Sequence, residues 1–273
     1  MSACISAVQH LRRLRGGSQS HLLAASDGAS YVTKFRNNPQ HVRVLANEML
    51  ATRLGLALAL PMPHVEAIEV SEWLIQHSDA LHIDLAGRNI PCQSGRQLAS
   101  FYTDQKNLGL THDYLPAHLL ETIVNVQDFA RVVVLDKWTC NCDGRQAVFS
   151  RKTSRSRRYV ATFIDQGYCF NAGEWSFPDC PLRGVFANNC VYKDVRGWDA
   201  FEPALSRAEG MDANEIWRFA ADIPEEWYEW DKDGLNRLVE ALYARRPTIR
   251  KLVTAFRNSN RNPFPNWPEI IRS

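Results

Sequence analysis

The sequence predicts an α+β chain of two lobes, a small N-terminal part made mostly of strands and a larger, mostly helical C-terminal part. Short alternating apolar runs bounded by turn residues fall almost entirely before the polar stretch Thr103–Thr111. The longest helical periodicity, Pro116–Trp138, comes after it, as do four further helical patterns from Trp198 onward. The expected division is therefore residues 1–104 for the first lobe and 105–273 for the second.

Composition bounds what such a chain does. With 45% hydrophobic and 23% charged residues, the 273-residue chain can bury a core. A net charge of +2 offers no global field for nucleic acid or a membrane surface. No run approaches the ~20 apolar residues of a membrane span, and Met1–Arg15 has no unbroken apolar core of signal-peptide length. None of the seven cysteines forms a CxxC pair; Cys140 and Cys142 come closest, one residue apart. Reduced thiols and a cytoplasmic location are the expectation.

Taken in order, Leu22–Ala24 and Tyr31–Phe35 read as strands joined by a turn at Ser26–Ala29, preceded by the small polar run Gly16–Ser20. Val42, Leu45, Met49, Thr52 and Leu56 recur at helical spacing from His41 to Leu58, with Gly55 and Pro61-Met62-Pro63 expected to end the helix. His64–Val70 alternates as a strand, and Ser71-Glu72-Trp73 opens a short helix. Ser78–Gly95 reads as a loop and Leu98–Tyr102 as the next strand. In Pro116–Trp138, Leu119, Ile123, Val126, Phe129, Ala130 and Val133 line one buried face. Strands follow at Gln146–Ser150 and Tyr159–Ile164, the second ending at Asp165-Gln166-Gly167. After an irregular stretch, helices are expected near Trp198–Arg207, Ala213–Ala221, Lys232–Arg245 and Thr248–Asn258.

The order of these parts points to phosphoryl transfer, which needs a loop over the phosphates, a lysine to neutralise them and a glutamate to orient it. It also needs one aspartate for the attacking hydroxyl and a second for the bridging metal. Gly16, Gly17, Ser18, Gln19 and Ser20 supply backbone N–H groups unobstructed by large side chains, without matching GxGxxG or GxxxxGK. An ordinary flexible turn is the plain alternative. Strand alternation puts Lys34 on the face of Val32, where an ammonium needs a partner, and Glu48 on the next helix can supply it. Asn141-Cys142-Asp143-Gly144 suits a turn on composition alone. Asp165 ends an apolar strand, where a carboxylate is costly unless a cation or hydrogen bonds compensate it. Arg151, Lys152, Arg155, Arg157 and Arg158 read as a solvated hairpin tip, with docking of an acidic partner or nucleic acid as the alternative. The histidines form no catalytic or metal-ligand pattern.

On RGGSQSHLL, YVTKFRNNPQHVRVLANEMLATRLGL, LDKWTCNCDGRQAVF and FIDQGYCFNAGEWSFPDCPLRG, the sequence resembles the HipA-like kinases, specifically short single-chain bacterial members. The resemblance runs over nearly the whole chain and implies a two-lobed protein-kinase-like fold. It implies Lys34 as the phosphate-contacting lysine, Glu48 as its partner, Asp143 as the catalytic aspartate, Asp165 as the metal-binding aspartate and Gly16–Ser20 as the phosphate loop. One departure concerns the metal. The asparagine usual five residues after the catalytic aspartate is here Val148, which cannot ligate. Asn141 or Gln146 would have to substitute, or the site holds one metal poorly, or catalysis is lost. Asp136 and Asn141 carry the same D-x-x-x-x-N spacing, but Asp143 is better placed before the hairpin and Asp165, and Asp136 reads as structural. The loop begins about fifteen residues in, so neither the extra N-terminal domain of longer members nor a toxin role with a repressor partner is carried over.

The expectation is thus an ATP- and Mg²⁺-dependent phosphotransferase acting on a Ser or Thr hydroxyl of a protein, with a small-molecule acceptor or self-phosphorylation at Ser154 or Ser156 as variants. The alternative is a nucleotide-binding pseudokinase that serves as a partner-binding module. The sequence leaves the acceptor and the oligomeric state open.

Overall fold

The computed structural model describes residues 5–106 and 108–268. Its N-terminal part is a closed five-stranded barrel in the order β1 (Ile5–Arg13), β2 (His21–Ala25), β3 (Ser30–Lys34), β7 (Gly95–Phe101), β4 (Val65–Val70). Neighbours are antiparallel except at the seam, where β1 runs parallel to β4 through Ile5 opposite Ile68. Leu23, Tyr31, Phe35, Ile68, Val70 and Ala99 fill the interior. Outside the barrel lie the short helix α2 (Glu72–Gln76), capped by the Ser71 hydroxyl accepting from Leu74 N–H, and the hairpin β5 (His82–Leu85) with β6 (Arg88–Pro91).

Two of these elements differ from the sequence expectation. β1 carries no alternating apolar pattern because two register shifts, between Ala7 and Gln9 and between His10 and Arg12, break the period of two. With β1 present, Gly16–Ser20 becomes the tip of a hairpin instead of a leader to one. Ser78–Gly95, expected as a loop, holds the β5–β6 hairpin, turned by Ala86 and Gly87 at φ 51° and 78°.

Helix α1 (Arg43–Ala57) lies between the barrel and the rest of the chain and is buried on nearly every side, with Leu45, Met49, Leu50 and Leu54 in the main core. It passes straight through Gly55, which the sequence suggested as a terminator. The helix ends instead at a left-handed Ala59, φ 61°, with Leu60 N–H donating to Gly55 O at 3.0 Å, a Schellman-type closure. Gly55 has another use: a Cβ there would stand 2.3 Å from Met62 Sδ and 3.1 Å from Leu135 Cδ2. Gly55→Ala is therefore expected to destabilise the fold by about 1–3 kcal/mol through overpacking, despite alanine's better helix propensity. A fall in the denaturation midpoint checks this.

The C-terminal part opens with β8 (Thr111–His112) and α3 (Ala117–Leu120), then α4 (Asp128–Trp138). The single helix expected over Pro116–Trp138 is thus two, separated by turns. The interruption has a local cause: Asn125 pairs with the backbone of Ala161, accepting from its N–H and donating to its C=O, while Val124 N–H donates to Tyr159 O. These bonds draw 122–125 onto the edge of a strand. Every residue of α4 except Arg131 is buried, so it is a central helix, not one with a single buried face. β9 (Gln146–Arg151) and β10 (Tyr159–Ile164) form an antiparallel hairpin joined by β8. Helices α5 (Ala204–Gly210), α6 (Ala213–Ala220), α7 (Lys232–Arg245) and α8 (Ile249–Arg257) complete the core around Phe129, Trp138, Phe201 and Phe256. Among the described residues no helix is long and apolar enough to cross a membrane.

Candidate active site

A cleft of about 1370 Å³ separates the barrel from the helical part. Gly16, Gly17, Ser18 and Ser20 form one rim, Val32, Lys34 and Glu48 its upper wall, and Asp143, Gln146, Val148 and Asp165 its floor. Val32 and Lys34 share the cleft face of β3, as strand alternation requires.

The centre of the cleft is an ion triad. Lys34 Nζ donates to Glu48 Oε2 and to Asp165 Oδ1, each at 2.7 Å. Burial pulls the ammonium's pKa down, but the two carboxylates more than offset it and hold it above the ordinary lysine value. The converse holds at Asp165. Burial pushes its carboxyl up, yet Lys34, with smaller help from Arg145 and the Gly167 N–H, brings it below the usual aspartate range. Lysine and both carboxylates leave one net negative charge, suited to a divalent cation carrying phosphate. Asp165 itself sits at φ 61°, a left-handed conformation rare outside glycine, turning the chain sharply as it leaves β10.

Asp143 is exposed on the cleft floor, and its backbone is fixed on both sides. Its N–H donates to Asn141 Oδ1 at 3.1 Å, and its carbonyl accepts from Gly184 N–H at 3.0 Å. Its Oδ1 accepts from Gly144 N–H at 2.7 Å, which leaves Oδ2 uncommitted among the described residues.

Beneath both aspartates runs a buried network that sequence reasoning missed. Arg145 and Asp136 are fully buried and paired: Nε donates to Oδ2 at 3.0 Å and Nη2 to Oδ1. Arg145 Nη1 also reaches Gln166 Oε1 at 2.5 Å and Ile164 O at 3.1 Å. One guanidinium thus ties the end of α4, the loop bearing Asp143 and the turn bearing Asp165. Burial lowers the affinity of Arg145 for its proton and Asp136 reverses the effect, so the guanidinium stays charged. Asp136 is structural, as expected, but an arginine two residues after an aspartate gave no signal of its burial.

Three of the expected site residues need revision or qualification. Asn141 is not in the cleft. It is buried, its amide donates to Asp136 Oδ1 at 2.9 Å and accepts from Asp143 N–H, and it lines a separate pocket of about 180 Å³ behind the loop. The expectation that it could hold metal is corrected on that ground. The Gln19 side chain likewise leaves the cleft, its amide pairing with both N–H and C=O of Asp84 at 2.8 Å. Only the backbone of Gln19 stays with the loop. Gln146 does lie in the cleft, with Nε2 donating to Asp165 Oδ2 at 3.1 Å; rotating the amide presents its oxygen to the same place. Val148 is buried in β9 opposite Thr162 and supplies no ligand.

This architecture is the protein-kinase fold. The crystal structure of a Helicobacter pylori proinflammatory kinase, CtkA, matches with TM-score 0.51 at 13% identity, covering 87% of this chain and 94% of that one. The Golgi casein kinase matches with TM-score 0.52 at 11% identity over 93% of this chain and 74% of that one. The same kinase with Mn/ADP bound gives 0.50 at 11% identity, with 94% and 74% covered. No curated protein matches the sequence. A family model described as HipA-like kinase matches residues 7–154, more than half of the chain. The chain belongs to the HipA-like kinase family, and family and fold together support a phosphotransferase.

Proposed function

We propose that the protein is an ATP- and Mg²⁺-dependent kinase that transfers the γ-phosphoryl group to a Ser or Thr hydroxyl. The observation that carries this reading is the Lys34–Glu48–Asp165 triad facing an accessible aspartate, Asp143, across one cleft. Lys34 holds phosphate oxygens, and Glu48 keeps the ammonium aimed at them. Gly16–Ser20 lies over the phosphates, where backbone N–H groups serve as donors. Asp143 orients the acceptor hydroxyl and takes its proton on the carboxylate.

Asp165 and Gln146 would hold the metal. Their donors are hard oxygens, which suits Mg²⁺, whereas Val148 contributes none. When bound, the cation supplies neutralisation of the charge on the transferred phosphoryl group. The Golgi casein kinase, solved with Mn/ADP, offers a fold-level parallel for nucleotide and divalent-metal use.

Incubation with ATP and Mg²⁺, followed by measurement of γ-phosphate transfer to candidate acceptors and to the chain itself, tests the reading. Metal-dependent phosphate incorporation is the expected result. Val148 favours one alternative, a nucleotide-binding module without transfer. Nucleotide binding with no γ-phosphate turnover would establish that alternative instead.

A further inference from the structure

The segment that follows Asp165 is held against α1 by more than the ion triad. Asn47, one residue before Glu48, is wholly buried, and among the described residues all of its side-chain hydrogen bonds go to that segment. Its Nδ2 faces the carbonyls of Gly167 at 2.9 Å, Cys169 at 3.1 Å and Ala172 at 2.7 Å, and its Oδ1 accepts from Trp175 Nε1 at 2.7 Å. Arg43, one helical turn earlier, stacks on the Trp175 ring at 4.6 Å and donates to Gly173 O at 3.2 Å. The backbone comes equally close: a Cβ on Gly167 would stand 3.2 Å from Val44 Cβ and 3.5 Å from Glu48 Oε2.

The segment gripped in this way is not regular structure. Phe170, Asn171, Ala172 and Trp175 all have left-handed φ, between 49° and 58°. Such a run is costly for non-glycine residues and persists only where its surroundings over-determine it. The Asn47 side-chain amide is the point on which three of the segment's carbonyls converge.

We infer that Asn47 is a positioning residue for the metal-binding turn, locking Asp165 and Glu48 in register so that the phosphate- and metal-binding groups are aligned before any ligand arrives. This rests on the proposed kinase reading. It goes beyond it by assigning the alignment of Asp165 to a residue that touches neither nucleotide nor metal. The helix and the turn then move as one body, and the Lys34–Glu48 pair reports the position of Asp165.

Asn47→Asp tests the inference, because the carboxylate keeps the shape and the acceptor for Trp175 but turns an oxygen toward the three carbonyls. The Mg²⁺ concentration giving half of the metal-dependent ATP binding is expected to rise about tenfold or more, since those bonds are lost in a buried site. At saturating Mg²⁺ the ATP affinity should stay within about twofold of wild type. Trp175→Phe, which leaves the three carbonyl bonds in place, should shift the same midpoint in the same direction by about threefold. Amide exchange over residues 165–176, measured without nucleotide, should accelerate in both variants, first at Cys169 and Phe170, whose N–H groups donate to Gln166 O and Thr139 O. A lowered melting temperature with an unchanged Mg²⁺ midpoint, or wild-type exchange over this segment, would overturn the inference. Faster exchange in the variants of a wild type that shows no metal-dependent ATP binding would sustain the clamp and overturn the kinase reading alone.

Discussion

Asp143→Asn is expected to reduce phosphoryl transfer by roughly 10²- to 10⁴-fold, the range lost when a general base is removed. Two features of the site set this expectation. The carboxylate is exposed in the cleft, and one of its oxygens is spent on Gly144 N–H while the other is uncommitted among the described residues. The backbone that presents it is tied to Asn141 and Gly184 through groups the substitution does not touch. An asparagine therefore fits the same place, still accepts the Gly144 bond and takes no proton. Stability and nucleotide affinity should remain near wild type, because the triad of Lys34, Glu48 and Asp165 is intact. Initial rates of γ-phosphate transfer, with ATP affinity measured alongside, check the prediction; unchanged transfer would remove Asp143 from the reaction.

The opposite profile is expected at Asp136. Its carboxylate is the buried partner of Arg145, and removing it leaves a fully buried guanidinium without its paired carboxylate. Asp136→Ala should destabilise the fold by about 3–5 kcal/mol, the usual consequence of breaking one side of a buried pair. The loss would reach the loops bearing both Asp143 and Asp165, since Asn141 hangs from Asp136 and Gln166 from Arg145. Denaturant unfolding measures it directly. Replacing both members by apolar residues of similar volume should be far milder, because the cost lies in the orphaned charge.

The contrast between these aspartates shows what could be read from residues alone. Lys34, Glu48 and Asp165 stood out because strand alternation, helix position or a strand end places each side chain, whereas Asp143 was singled out by the order of the parts and the family resemblance; the fold brings all four to one cleft. Asn141 was misassigned for a reason spacing does not reveal: its amide is consumed by Asp136 and the Asp143 N–H. Asn47 and Arg145 were silent because their partners lie in distant segments, and a polar residue within a helix or after a turn is ordinarily solvated. The fold shows the same division. Elements with clean periodicity, such as α1 and the β9–β10 hairpin, were visible. β1 was hidden by its two register shifts, and the expected long helix was split by Asn125 pairing with Ala161, a contact between segments that helical periodicity does not record.

The central claim is that this cleft binds ATP through a metal held by Asp165. A thermal-shift titration with ATP, with and without Mg²⁺, on the wild type and on Asp165→Asn addresses it most directly, because a ligand that binds only the native state raises the melting temperature by mass action. A rise that requires Mg²⁺ in the wild type and vanishes in Asp165→Asn is the expected result. No rise in the wild type, or a Mg²⁺-dependent rise of the same size in the variant, would contradict it.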